Sequence, residues 1–209
     1  MFKRIIKGLK YSFYILSHPI SGFYEMRFEG QGDLISSILL LVFLIVAFVF
    51  QRQYSGFIFN TTNPKYFSVI RESVSVLATI LLWCVANWSI TALNDGEGRF
   101  KDIFMSVAYA SLPMTVTIII ATIMSNMMVN EEQTLMSLVL GLGVFYTGLL
   151  VFTGTMTIHQ FTVKKNIASI VMTVAGMAFI VFLAIIFAGI FDKLVRYLVG
   201  IYVEIRLRM

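Results

Sequence analysis

Charge is the scarcest commodity in this chain. Lys, Arg, Asp and Glu make up 13% of its 209 residues and hydrophobic residues 58%, where ordinary soluble domains carry about 25% charged residues. That leaves too little polar surface to cover a water-soluble globule, so the composition points to a bilayer. The net charge of +5 does not indicate a nucleic-acid partner, because the lysines and arginines flank apolar runs, as membrane topology requires. Cysteine is nearly absent. Cys84 stands alone, which excludes an internal disulfide, and its place inside an apolar run reads as a small core residue. The apolar runs contain no Asp, Glu, Lys or Arg well inside them. An ion-coupled carrier or proton relay normally needs such groups near the midplane. The first residues, "MFKRIIKGLKYSFYILSHP", are too basic and too evenly mixed for a cleaved signal peptide.

What is present is a series of helices. Phe2, Ile5, Ile6, Leu9, Phe13 and Leu16 recur at helical spacing, with Lys3, Arg4, Lys7 and Lys10 mostly on the other side. Residues 1–18 therefore form a basic amphipathic helix, lying either in the membrane interface or on the protein's own spans. Pro19 ends it, and "FYEMRFEGQGD" follows as a polar connection whose Asp33 can cap the next helix. Five apolar runs read as spans, four of them within the roughly 17 to 25 residues that cross a bilayer and the third shorter. They cover residues 34–50, 74–93, 114–128, 135–158 and 167–191, the third needing part of the preceding helix to complete its crossing. Residues 192–209 read as a second amphipathic segment, with Leu194, Leu198, Ile201, Tyr202 and Ile205 on one face. The fold class is all-α: one polytopic membrane domain over 1–209, with spans within 34–191 and an amphipathic helix at each end. No internal repeat is visible, which disfavours a transporter built from two related halves.

With the N-terminus inside, the inner segments hold nine basic residues and the two outer loops three: Arg52, Lys65 and Arg71. The positive-inside rule then favours a cytoplasmic N-terminus. Five spans place the C-terminus outside with Lys193, Arg196, Arg206 and Arg208, against that trend.

Chemistry-bearing motifs are few. The turn "NDGEGRF" lacks the pattern of a phosphate loop and has no strand before it. Asp95 and Glu97 lack the further acidic positions of a calcium loop. Gly96 and Gly98 are expected to serve a tight turn, where positive φ costs glycine little, and Pro113 suits the first turn of the next helix. His18 and His159 are a weak pair, far apart in sequence, and no catalytic, cofactor or metal residues are assigned. Asn87, deep in the second span, is expected to bond between helices. In the fourth span Gly141, Gly148 and Thr155 are seven apart, with Thr147 and Gly154 beside them. Small side chains let helix backbones approach closely in lipid, so this stripe marks a contact, internal or to another protein.

The stretch "LNDGEGRFKDIFMSVAYASLPM" resembles the signature region of the Yip-type (Ypt/Rab-interacting protein) membrane family, in its bacterial branch. Gly96, Gly98, Phe100, Lys101, Tyr109 and Pro113 occupy the signature positions. "LSHPISGFYEMRFEGQGD", "IHQFTVKKN" and "YVEIRLR" are similar to further parts of bacterial members, so the resemblance covers nearly the whole chain. It implies five spans, a cytoplasmic N-terminus, the bacterial plasma membrane and no catalytic residues or cofactors. Bacterial members that accompany sugar-importing ABC transporters imply an accessory role. The reading is thus a non-enzymatic membrane protein whose partners are the lipid bilayer and another membrane protein, such as a transporter permease. Candidate partner contacts are Gly141, Gly148 and Thr155, and Tyr202, Glu204, Arg206 and Arg208 in the tail. The alternative is a small transporter or channel, for which Asn87, Thr91, Thr115, Thr117, Thr147 and Thr153 are the only polar lining available.

Overall fold

The computed structural model describes residues 2–60 and 67–208. The loop positions Pro64 and Lys65 lie outside the described residues. The described chain is eight α-helices in order: α1 (Phe2–Ser17), α2 (Pro19–Phe28), α3 (Leu34–Tyr54), α4 (Val69–Leu93), α5 (Phe100–Ala110), α6 (Leu112–Ser125), α7 (Gln133–His159) and α8 (Val163–Arg208). Five units are long and apolar enough to cross a membrane: α3, α4, α5 with α6, α7 and α8. The protein is therefore an all-α, multi-pass membrane protein in contact with lipid.

Local chemistry sets the boundaries. Asp33 caps α3 as expected, its carboxylate accepting from the Ser36 amide at 3.2 Å and the Ser36 hydroxyl at 3.0 Å. Ser68 caps α4, its Oγ accepting from the Arg71 amide at 3.4 Å. Pro19 ends α1 but also opens α2, where its missing N–H is harmless. Residues 23–28, expected as a polar connection, are therefore helical. The chain leaves α2 through Gly30, at φ 67°.

The span α5–α6 is central, with 61% of its most apolar window buried against 6% for α8. It bends at Ser111, whose hydroxyl donates to the Ala108 carbonyl while its own carbonyl accepts from Thr115. Pro113 sits in the first turn of α6, as expected. Around this span, α6 packs on α3 and α7, α5 packs on α3, α4 and α7, and α8 packs mainly on α4. One core, Leu41, Leu44, Ala47, Ile80, Cys84, Ile103, Ala108 and Ile118, joins α3, α4, α5 and α6. Cys84 lies there fully buried.

A second core decides where the amphipathic N-terminus sits. Ile15, Phe23 and Met26 pack with Leu40, Met105, Tyr109, Leu150 and Ile158. So α1 and α2 fold onto the end of their own bundle, each large buried side chain contributing roughly 1.5–3 kcal/mol. The Tyr11 hydroxyl donates to the Gly22 carbonyl at 2.8 Å and ties the two helices together. Burial holds that phenol's pKa above its ordinary range, so it remains a donor. Phe13 and Ile20 stay exposed on the outer side of the pair.

The C-terminal segment differs from expectation. No separate element begins near residue 192; α8 is one helix of 46 residues. Its later part contains no proline, and Gly189 and Gly200 cost only about 1 kcal/mol each as helix breakers. Asp192–Arg196 at 2.9 Å and Glu204–Arg208 at 2.6 Å add i,i+4 ion pairs.

Candidate functional site

Polar side chains gather where α4 ends, α5 begins and α7 ends. Both closing helices use a left-handed residue to stop. After α4, Asp95 has φ 53° and the Gly96 amide reaches back to the Thr91 carbonyl at 2.8 Å. After α7, Gln160 has φ 53° and the Phe161 amide reaches the Met156 carbonyl at 3.0 Å. These are paired Schellman-type caps, with Asp and Gln where glycine is usual. Packing of α5 on α7 brings the turn and His159 face to face.

The imidazole then holds the turn. The Gly98 amide donates to His159 Nδ1 at 3.2 Å. That nitrogen must be bare to accept, so the ring is the neutral tautomer with its proton on Nε2. A Cβ on Gly98 would sit 2.5 Å from His159 Cε1, and one on Gly96 would sit 2.7 Å from Nδ1. Neither glycine has a positive φ; that conformation falls on Asp95. The expectation of positive φ at Gly96 and Gly98 is thus corrected: they are required by the close approach of the ring.

Three further groups fix the turn. Arg27 from α2 donates to the Glu97 carbonyl at 2.8 Å and lies 3.5 Å from its carboxylate. Asp102, buried in the first turn of α5, accepts from the Arg99 amide at 3.4 Å and the Arg99 Nε at 3.0 Å. On the other side, the His159 ring stacks on Phe161 at 5.3 Å, and Lys165 Nζ lies 4.6 Å from the Phe161 centroid. Cation, aromatic ring and imidazole form one short stack.

Beneath the turn is a small cavity, too narrow to admit a water, lined by Asn87, Ile103, Ser106, Val107, Thr155, Ile158 and His159. Asn87 does bond between helices as expected, its Nδ2 donating to Thr173 Oγ1 on α8 at 3.2 Å. Its Oδ1 and His159 Nε2 are buried and have no protein partner. The cavity thus carries one acceptor and one donor that the helices leave unsatisfied. Its chemistry is that of a polar joint between α4, α5, α7 and α8. His159 is oriented by a backbone amide, and the Asp102 carboxylate is engaged by Arg99.

The other candidate residues lie elsewhere. The stripe of the fourth span does not act as one face. Gly141 and Gly148 have no atom within 4 Å of an added Cβ, whereas Thr155 is buried and lines the cavity. Seven-residue spacing drifts about 20° per repeat on a straight helix, so two repeats rotate Thr155 into the bundle. The close approach in α7 is made by Gly143, against Thr117 of α6. Tyr202, Glu204, Arg206 and Arg208 are exposed near the end of α8, where Glu204 and Arg208 pair with each other. Sequence reasoning missed His159, Arg27 and Asp102 as parts of one assembly. The signal available was G-x-G, a motif that suits close packing against a flat ring.

The sequence profile of the Yip1 domain matches residues 13–186, from inside α1 into α8, and takes in every group of this site. The chain belongs to the Yip1 domain family. Neither a curated protein nor a solved structure matches it. The Yip1 domain match ends at residue 186, so the glycine turn and its histidine belong to the domain, while the last part of α8 extends beyond it.

Proposed function

We propose that this Yip1-domain protein is a non-enzymatic interaction subunit of a membrane assembly. Its setting is a bacterial plasma membrane, with the N-terminus and the glycine turn on the cytoplasmic side. The partner class is an integral membrane protein such as the permease of a sugar-importing ABC transporter. One observation supports the reading: Gly141 and Gly148 on α7 leave open space where a side chain would stand, Gly148 at a cleft it lines with Ile80, Trp83 and Met177. Small residues with open space beside them suit the backbone of another helix. The exposed end of α8, with Tyr202, Glu204, Arg206 and Arg208, offers a second contact surface.

The transporter or channel alternative draws on the hydroxyls of the spans. Thr91, Thr115, Thr117 and Thr153 donate to carbonyls of their own helices at 2.7 to 3.0 Å. These hydroxyls are already satisfied and supply little for a polar path. Among the described residues, the buried span atoms left uncommitted include Asn87 Oδ1, Thr147 Oγ1, Thr157 Oγ1, Asn166 Oδ1 and Ser169 Oγ.

Affinity purification in mild detergent, followed by identification of bound membrane proteins, tests the proposal. A stoichiometric partner lost on Gly148→Leu, with an unchanged melting profile, supports it. Purification without any partner, together with solute flux in proteoliposomes, replaces it with the transporter reading.

A further inference from the structure

The helix α8 continues well past the end of its uncharged run. Between Lys165 and Asp192 lie 26 uncharged residues, about 39 Å of helix at 1.5 Å per residue, enough to cross the ~30 Å hydrocarbon core with some tilt. The 17 residues 192–208 continue as the same helix for about 25 Å more. To lie flat on the membrane this helix would have to turn near residue 192, and its helical structure runs through that point unbroken.

This extension is apolar at regular intervals. Ile180, Ala184, Phe187, Phe191, Leu194, Leu198, Ile201 and Ile205 alternate steps of four and three residues. That is the heptad seam of a coiled coil, and it runs without a slip from the membrane into water. Between Phe191 and Glu204, the seam and flanking positions hold one charge, Glu204, while the six outward positions hold three: Asp192, Lys193 and Arg196. Among the described residues, the seam positions from Ala184 to Ile201 are exposed, while Ile180 is half-buried. Phe187 and Phe191 are both 68% exposed, and Tyr197 and Tyr202 beside it 69% and 66%. Aromatics bury 150–250 Å² each, so these four expose on the order of 500 Å² per copy. Of these, Phe187 and Phe191 fall within the uncharged run, where close packing rather than burial from water favours contact, and Tyr197 and Tyr202 supply the part beyond it.

We infer that the partner on this face is a second copy of the chain, joined through α8 as a parallel two-stranded coiled coil. Two copies inserted in the same orientation necessarily present α8 in parallel, related by a two-fold axis along the membrane normal. Each seam residue then meets its own counterpart. In that register Tyr197 flanks the seam opposite Tyr202 of the other copy and Ile190 opposite Val195, with no like charges facing each other. The inference rests on the interaction-subunit reading and assigns the α8 part of its contact surface to self-association, leaving the open glycines of α7 for the other membrane protein.

Single cysteines placed in a Cys84→Ala background test this in native membranes under mild oxidation. Leu194→Cys, Leu198→Cys and Ile201→Cys sit on the seam, while Arg196→Cys, Val199→Cys and Val203→Cys point away from it. All six sites are surface positions, so folding is not at stake. The expected result is a covalent species of twice the 23.7 kDa chain mass, several-fold more abundant for the seam set. Equal yields from both sets, or no dimer from either, overturn the inference. A seam cysteine captured by a different protein overturns self-pairing but leaves the interaction-subunit reading standing. Seam dimers without any co-purified membrane protein uphold self-pairing and remove the permease partner.

Discussion

At the residue scale, the glycine turn shows how one motif can serve different physical needs. Gly98 is required by contact, since an added Cβ would lie 2.5 Å from His159 Cε1 and 2.7 Å from Ile158 Cγ2. Gly98→Ala should therefore destabilise the protein by roughly 1–3 kcal/mol, the usual cost of overpacking a buried site. Thermal melting in detergent measures this, and adding His159→Ala should restore part of the loss; strict additivity would separate the two residues. Glu97→Gln should leave folding near normal, because Arg27 bonds chiefly to the Glu97 carbonyl. Backbone conformation makes the opposite demand at Asp95 and Gln160, both at φ 53°. Gln160→Gly should raise stability by about 1 kcal/mol, and Asp95→Gly by less because Asp tolerates the left-handed region better. For a chain of this size 1 kcal/mol corresponds to about 2–4 °C in the melting midpoint. An unchanged or lower midpoint for Gln160→Gly would mean that its side chain contributes to the site.

At the element scale, the two kinds of glycine in α7 predict opposite outcomes. A Cβ on Gly143 would collide with the Thr117 side chain of α6, while Gly141 and Gly148 face open space. Gly143→Val should lower folded yield, and Gly148→Val should leave it intact while weakening any captured partner; size-exclusion profiles and co-purification report the two effects. The spans were legible in the sequence because lipid imposes a simple rule of length and charge. The Asp33 cap, the break before Pro113 and the burial of Cys84 followed from equally local chemistry. The division of the α7 stripe was not legible, since spacing by sevens cannot tell lipid from a neighbouring helix. Helix α2 was obscured because Pro19 carries both a stop and a start signal. His159 was hidden for a different reason: its partner amide lies 61 residues away on Gly98, and only the fold brings them together.

At the scale of the whole molecule, the bundle is lopsided, with a dense centre at α5–α6 and a sparsely packed edge at α8. The turn containing Glu97 and the loop containing Glu131 lie at opposite ends of the central span. Cysteines placed singly at Glu97 and Glu131, with Cys84 replaced, should label from opposite faces of the membrane; labelling from one face would refute the five-span arrangement. The position of α8 also has a meaning in time. It leaves the ribosome after α3 to α7, and its main neighbour, α4, is made well before it. Between them, α5, α6 and α7 are already available to close the centre of the bundle around α3 and α4. A core that closes in this order would precede its own edge, with α8 docking onto a template rather than helping to nucleate one. A nascent chain halted after α7 should already protect Tyr109 and Ile118 from solvent, and completing synthesis should add the Asn87–Thr173 link as its closing step.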